Sequence, residues 1–149
     1  RFVVSEDSII SFDNFHLLKI QNKWKAYSIP IMATFLSSLR VFGINLFGRA
    51  NFGAGALDLK VFELVQIPFI NPQLFTDEEN KRMEPHIESI LNRKILPYRE
   101  ELLMDDLWNL DRIVFSKVGL SEPQIIKFRE TLSNYIDMRL LKANKLKLT

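Results

Sequence analysis

The residues best placed to do chemistry lie in one stretch, Gly48-Arg49-Ala50-Asn51-Phe52-Gly53-Ala54-Gly55-Ala56-Leu57, with Ile70-Asn71-Pro72 downstream. The chain has five glycines, and Gly43, Gly48, Gly53 and Gly55 all fall in this neighbourhood. Glycine reaches backbone angles closed to other residues and lets another molecule approach the main chain. Phe52-Gly53-Ala54-Gly55 imitates the turn that cradles S-adenosylmethionine or a dinucleotide. Asn71-Pro72-Gln73-Leu74-Phe75 imitates the Asn-Pro-Pro-aromatic tetrapeptide of amino-methylating enzymes. Context argues against both. A nucleotide loop needs a buried strand before it, a helix after it and an acid about 20 residues further on. Here an amphipathic helical pattern precedes the glycines, Gln73 stands where the second proline belongs, and the short gap cannot hold the intervening βαβ units. No cofactor is expected in this chain.

Other chemistry finds little material. The chain has no cysteine, so disulfides and thiolate metal sites are excluded. His16 and His86 are the two histidines, too few and too far apart for a histidine-rich metal site. Glu100-Glu101 and Asp105-Asp106 are adjacent pairs, and neighbours on a helix point to different sides, so a solvated face is expected rather than general acid–base work. With no nucleophile–base pair and no metal cluster, the chain alone is not expected to be an enzyme.

A length of 149 residues, 47% of them hydrophobic, suits one domain with an ample core. No run of 18 apolar residues exists, so no membrane-spanning helix is expected. The absence of cysteine fits a cytoplasmic setting. The chain opens on Arg1 in mid-pattern, without an initiator Met or signal-peptide architecture, and is expected to be a piece of something longer. Net charge is +2. Within residues 1–60, however, Arg1, Lys19, Lys23, Lys25, Arg40, Arg49 and Lys60 face Glu6, Asp7, Asp13 and Asp58, a basic balance that suits a polyanion.

The elements that would position the glycine segment follow from pattern. Phe2-Val3-Val4, Ile9–Phe12 and Phe15–Ile20 read as strands around turns. Ser28 and Pro30 open a helix over 29–42 with Ile31, Phe35, Leu39 and Phe42 on its inward face. A short strand is expected at 56–59, a helical turn near 61–66, and an edge strand at 67–70 because of Pro68. Thr76-x-x-Glu79 is a capping box that opens a helix, which Pro85 is expected to interrupt and Pro97 to end. A helix over 105–118 carries Leu107, Leu110, Val114 and Val118 inward and stops at Gly119. Ser121-x-x-Gln124 opens a last helix over 122–143, with Ile125, Phe128, Leu132, Tyr135 and Met138 inward. The fold class is therefore α+β: a small mixed or antiparallel sheet with a crossing helix over 1–72, then a helical half over 73–149.

Two blocks resemble a known family. Ser37-Ser38, Gly48-Arg49, Asn51, Gly53-x-Gly55-Ala56-Leu57, Leu59, Leu64 and Ile70-Asn71-Pro72 are similar to the C-terminal region of N6-adenine DNA methyltransferases from restriction–modification systems. Leu110-Asp111-x-x-Val114-Phe115, Gly119-Leu120 and Arg139-x-x-Lys142-Ala143 resemble the helical segment that follows it. The match covers about 28–72 and 106–143, and departs from the family at Phe35-Leu36, where an asparagine is usual, and over 73–105. The resemblance implies a catalytic, S-adenosylmethionine-binding domain upstream in the parent chain, with this region recognising double-stranded DNA or bracing the domain that does.

On that reading Arg49 and Lys60 contact phosphates, or Arg49 forks onto a guanine edge, and Asn51 pairs with an adenine edge. Gly53 and Gly55 let the backbone approach the duplex, and Lys23 and Lys25 add positive charge nearby. Two other readings stay open: a structural turn in which Arg49 caps a helix end, and a protein–protein module whose helical half docks on a catalytic domain or second subunit.

Overall fold

The computed structural model describes residues 19–49 and 57–145. A 3-10 helix, Asn22–Tyr27, leads into α1 (Ser28–Leu36) and α2 (Ser38–Phe47). Past the glycine segment come α3 (Val61–Leu64) and a 3-10 turn, Pro72–Leu74. Then follow α4 (Asp77–Asn92), α5 (Tyr98–Glu101), α6 (Asp105–Ser116) and α7 (Glu122–Lys145). The centre is a layer in which α4 packs between α1 and α6, while α2 and α7 close over α6. Ala33, Met83, Ile87, Ile90, Leu110 and Val114 form its apolar heart. Phe128 of α7 adds a second contact, its ring 4.9 Å from Phe115 and 5.5 Å from Phe42.

The expected α+β class is wrong for the described residues, which are mostly helical and contain no strand. The strand placed at 56–59 reduces to a single antiparallel bridge, Arg49 with Asp58. The one placed at 67–70 is a bend followed by chain without regular structure, and Lys19-Ile20 carry no regular structure either. The strands placed before residue 19 lie outside the described residues. The physical cause is that short apolar runs fit a strand or a packed coil equally well. Here Ile67 lies against Gly43 of α2 and Ile70 enters the core, so the apolar residues pack on helices instead of on a sheet.

Four helix expectations also need correction. The single helix over 29–42 is broken at Ser37, whose ψ of 166° is extended, and the segments Asn22–Leu36 and Ser38–Phe47 meet at a 61° bend. The inward face is then Ala33, Thr34, Ser37 and Ser38, while the anticipated stripe of Ile31, Phe35, Leu39 and Phe42 is half-buried. Pro85 does not interrupt α4, which runs through it. Pro85 is exposed, and so is Lys81, whose carbonyl loses its helical partner, so water can satisfy that oxygen. That helix ends at Asn92, before Pro97, where Arg93 leaves the helix and turns to Asp106 and Glu101. On α7 the inward positions after Leu132 are Ser133 and Ile136, with Tyr135 and Met138 exposed.

Other local signals hold. Thr76 N–H donates to Glu79 Oε2 at 2.9 Å while Glu79 N–H donates to Thr76 Oγ1 at 3.2 Å, the capping box as read. Gly119 takes a φ of 75°, and Leu120 N–H returns to the Phe115 carbonyl at 3.3 Å to close α6. Among the described residues no single helix is long and apolar enough to cross a membrane. The bent pair Asn22–Leu36 and Ser38–Phe47 passes that test only when taken together.

Candidate nucleic-acid interface at the glycine segment

The glycine segment leaves α2 through Gly48, whose N–H donates to the Ile44 carbonyl at 2.8 Å. A Cβ built on Gly48 would lie 2.5 Å from that same carbonyl oxygen, a backbone atom that cannot swing away, so only glycine fits this close approach. Immediately beyond, Arg49 and Asp58 exchange two backbone hydrogen bonds of 2.8 Å each. The two ends of the segment are thereby tied into a stem.

Glu63 is the keystone of that stem. It is 6% exposed, accepts the Lys60 N–H at 2.7 Å with one oxygen, and holds Arg49 Nε with the other. Burial of a carboxylate is tolerated when charge and donors surround it, as here. The Arg49 guanidinium also lies over the Phe62 ring, 5.1 Å from its centroid. Its terminal amino groups make no hydrogen bond with the described residues. Lys60 Nζ pairs with Asp58 at 2.9 Å. Two of the anticipated contacts, Arg49 and Lys60, are thus brought together, each already beside an acid of its own chain.

Asn51, Gly53 and Gly55 lie outside the described residues. Lys23 and Lys25 are placed elsewhere, exposed on the 3-10 helix before α1, and share no hydrogen bond or ion pair with the stem. Lys23 Nζ sits 6.0 Å from the Trp24 ring centroid.

A second polar assembly was not anticipated from the residues. Asp111 of α6 is fully buried and reaches 73 residues back to the start of α2, where it accepts the Ser38 N–H at 2.8 Å and the Ser38 Oγ–H at 2.6 Å. The Ser38 N–H is a donor that the break at Ser37 leaves without a helical partner. Tyr98 O–H donates to Ser38 Oγ at 2.9 Å. Arg129 Nε of α7 lies 3.2 Å from Asp111 Oδ2, close enough for ion pairing but misaligned for a hydrogen bond. The guanidinium also donates to the Leu102 carbonyl at 3.0 Å and covers the Trp108 ring at 5.0 Å. Burial pushes the Asp111 carboxyl up to about 6 against the pull of Ser38 and Arg129, and burial likewise raises the Tyr98 hydroxyl. No periodicity or local spacing marks the Ser38–Asp111 pair, whose members lie 73 residues apart.

The paired acids divide. Glu100 and Asp105 face water, whereas Glu101 and Asp106 receive Arg93 at 2.5 and 2.7 Å, and Ser89 Oγ donates to Asp106 at 2.8 Å. Burial opposes charge on Asp106, but the bonds from Arg93, Ser89 and the Leu107 N–H outweigh it and hold the carboxyl below its usual range. These acids clamp α4 to α6 and offer no free catalytic pair. Among the described residues no group of three or more His, Asp or Glu side chains could hold a metal ion. No protein-family model, curated protein or solved structure matches the chain.

Proposed function

We propose that this chain serves DNA target recognition as part of an adenine-specific DNA methyltransferase of a restriction–modification system, the catalytic and S-adenosylmethionine-binding work belonging to another part of the parent. It binds double-stranded DNA through the Gly48–Leu57 segment, in the cytoplasm. One observation carries the reading beyond the resemblance: Arg49 is held at Nε by buried Glu63 and across its face by Phe62, with its terminal amino groups making no hydrogen bond to the described residues. A guanidinium oriented this way meets a phosphate or a guanine edge without first losing its own freedom of motion. The stem beneath it is a rigid base for a recognition loop.

A second reading rests on a different observation. Val61, Phe62, Val65 and Phe69, next to the stem, are exposed, Val65 at 77%. Such a cluster suits a docking module that braces a catalytic domain or second subunit. Fluorescence anisotropy with a duplex oligonucleotide separates the two. Replacing Arg49 and Lys60 together by Ala should lower the salt slope of binding by about one to two units. Equal slopes for the double variant and the wild type would favour the docking module.

A further inference from the structure

Residues 19–49 contain Lys19, Lys23, Lys25, Arg40 and Arg49 and no Asp or Glu. The structure divides these cations. Arg49 is paired with Glu63, and Arg40 lies against the Phe35 ring at 5.6 Å, its guanidinium lowered to about 10 by burial. Lys19, Lys23 and Lys25 are exposed and form no ion pair with the described residues. Lys19 and Lys23 line an open groove of about 370 Å³ together with Ile20, Gln21, Trp24, Ile31 and Phe35, and Lys25 follows two residues on in the same 3-10 helix as Lys23. Like charges gathered in one segment, with no acid within residues 19–49, repel one another and are relieved by an anion.

The rest of the face narrows the partner. The groove's apolar side chains Trp24, Ile31 and Phe35 are half-buried, and Phe69, 45% exposed, lies against Phe35 at 5.4 Å. A membrane surface or an apolar protein patch would bury a larger exposed apolar area than this. A polyanion needs only the charges and an open track.

We infer that the face carrying Lys19, Lys23 and Lys25 is a second nucleic-acid contact, gripping the phosphate backbone of duplex DNA while the Gly48–Leu57 segment meets the same duplex elsewhere. This rests on the DNA reading above and adds a division of labour to it. The exposed lysines supply the sequence-independent, salt-sensitive grip. The anchored Arg49, offset by Glu63, supplies orientation more than net attraction.

The test uses the full chain, a mixed-sequence duplex oligonucleotide and, in parallel, vesicles of mixed phosphatidylserine and phosphatidylcholine. Changing Lys19, Lys23 and Lys25 together to Ala should lower the salt slope of duplex binding by about two to three units, more than the Arg49/Lys60 double variant does. The three side chains are exposed, so the circular dichroism spectrum should not change. Trp24 fluorescence should respond to the duplex, and the response should vanish in Trp24→Phe, which leaves only Trp108. A wild-type slope in the triple variant overturns the inference, and if the Arg49/Lys60 variant still falls, the glycine-segment reading survives alone. Absence of duplex binding by the wild type at low salt overturns both. Binding to the vesicles in place of the duplex overturns the inference in favour of a lipid surface.

Discussion

Two buried carboxylates in this molecule do similar jobs at opposite ends of the range of contact. Glu63 accepts the backbone N–H of Lys60, three residues before it, and holds an arginine that is half in water. Asp111 accepts the backbone N–H of Ser38 across 73 residues and faces an arginine that is itself buried. Both supply an acceptor at the start of a helix, where N–H groups lack partners. The difference lies in what each carboxylate joins. Glu63 ties a local stem at the edge of the fold, whereas Asp111 links α2, α6 and α7, with Tyr98 of α5 one hydrogen bond away. Local ties set the shape of a site; long-range ties set where that site sits on the body.

The largest expected effect follows from the long-range tie. Asp111→Ala removes the acceptor for two Ser38 donors and the counter-charge for Arg129, all away from water. Breaking a buried pair by removing one partner costs about 3–5 kcal/mol, because the other group is left uncompensated. Urea unfolding of the variant should show a loss of about 3 kcal/mol or more. A loss near 1 kcal/mol would mean that the cluster is only as important as the stem.

Much of the helical half was legible in the residues, and the first half was not. Thr76 with Glu79, and Gly119 after α6, are local signals whose geometry is settled within a few residues. Met83, Ile87 and Ile90 repeat at helical spacing, and they face the core. Pro85 misleads because its cost depends on which face it occupies, and that face is set by α6 and α1. Ser37 and Ser38 mislead more. They sit off the apolar stripe, yet they are buried because the Asp111 carboxylate of α6 accepts both Ser38 donors and the Ser37 hydroxyl donates to the Thr34 carbonyl. No periodicity marks a polar pair separated by that much chain. The candidate site was legible as a place, since Gly48, Arg49 and Lys60 converge on one stem. Its keystone, Glu63, read only as one residue in a short apolar helix.

The next effect tests the same contrast by pH. The folded Asp111 carboxyl titrates at about 6, above its ordinary value of 3.8, so between those values the folded chain binds more protons than the unfolded one. Stability from this group is therefore fully present at low pH and is lost as pH rises from about 4 to about 6. Asp106 and Glu79 act with the opposite sign. Both are held below their usual range, Asp106 chiefly by Arg93 against burial and Glu79 chiefly by Lys117 against burial, so their stability disappears as pH falls below about 4. Unfolding free energy should pass through a maximum near pH 4–5 and decline towards 7 by on the order of 1–3 kcal/mol. In Asp111→Asn the decline should flatten while the acid limb stays. A decline that persists unchanged in that variant would remove Asp111 as its source.

The smallest effect belongs to the stem, and it should be local. Glu63→Ala leaves Lys60 N–H without its acceptor and releases Arg49, but Arg49 can turn to water. Half-exposed pairs of this kind contribute roughly 1 kcal/mol or less, and the neighbouring Lys60–Asp58 pair survives the change. Global unfolding should therefore shift little. Amide exchange should speed up at Arg49 and Asp58, whose two mutual hydrogen bonds close the stem, while the amides of α4 and α6 keep their protection. Asp111→Ala should do the reverse, lowering protection throughout α2, α6 and α7 together. If Glu63→Ala instead deprotects the whole molecule, the stem is part of the cooperative core rather than an appendage tied to it. The division between a local tie that shapes the site and a long-range tie that places it would then fail.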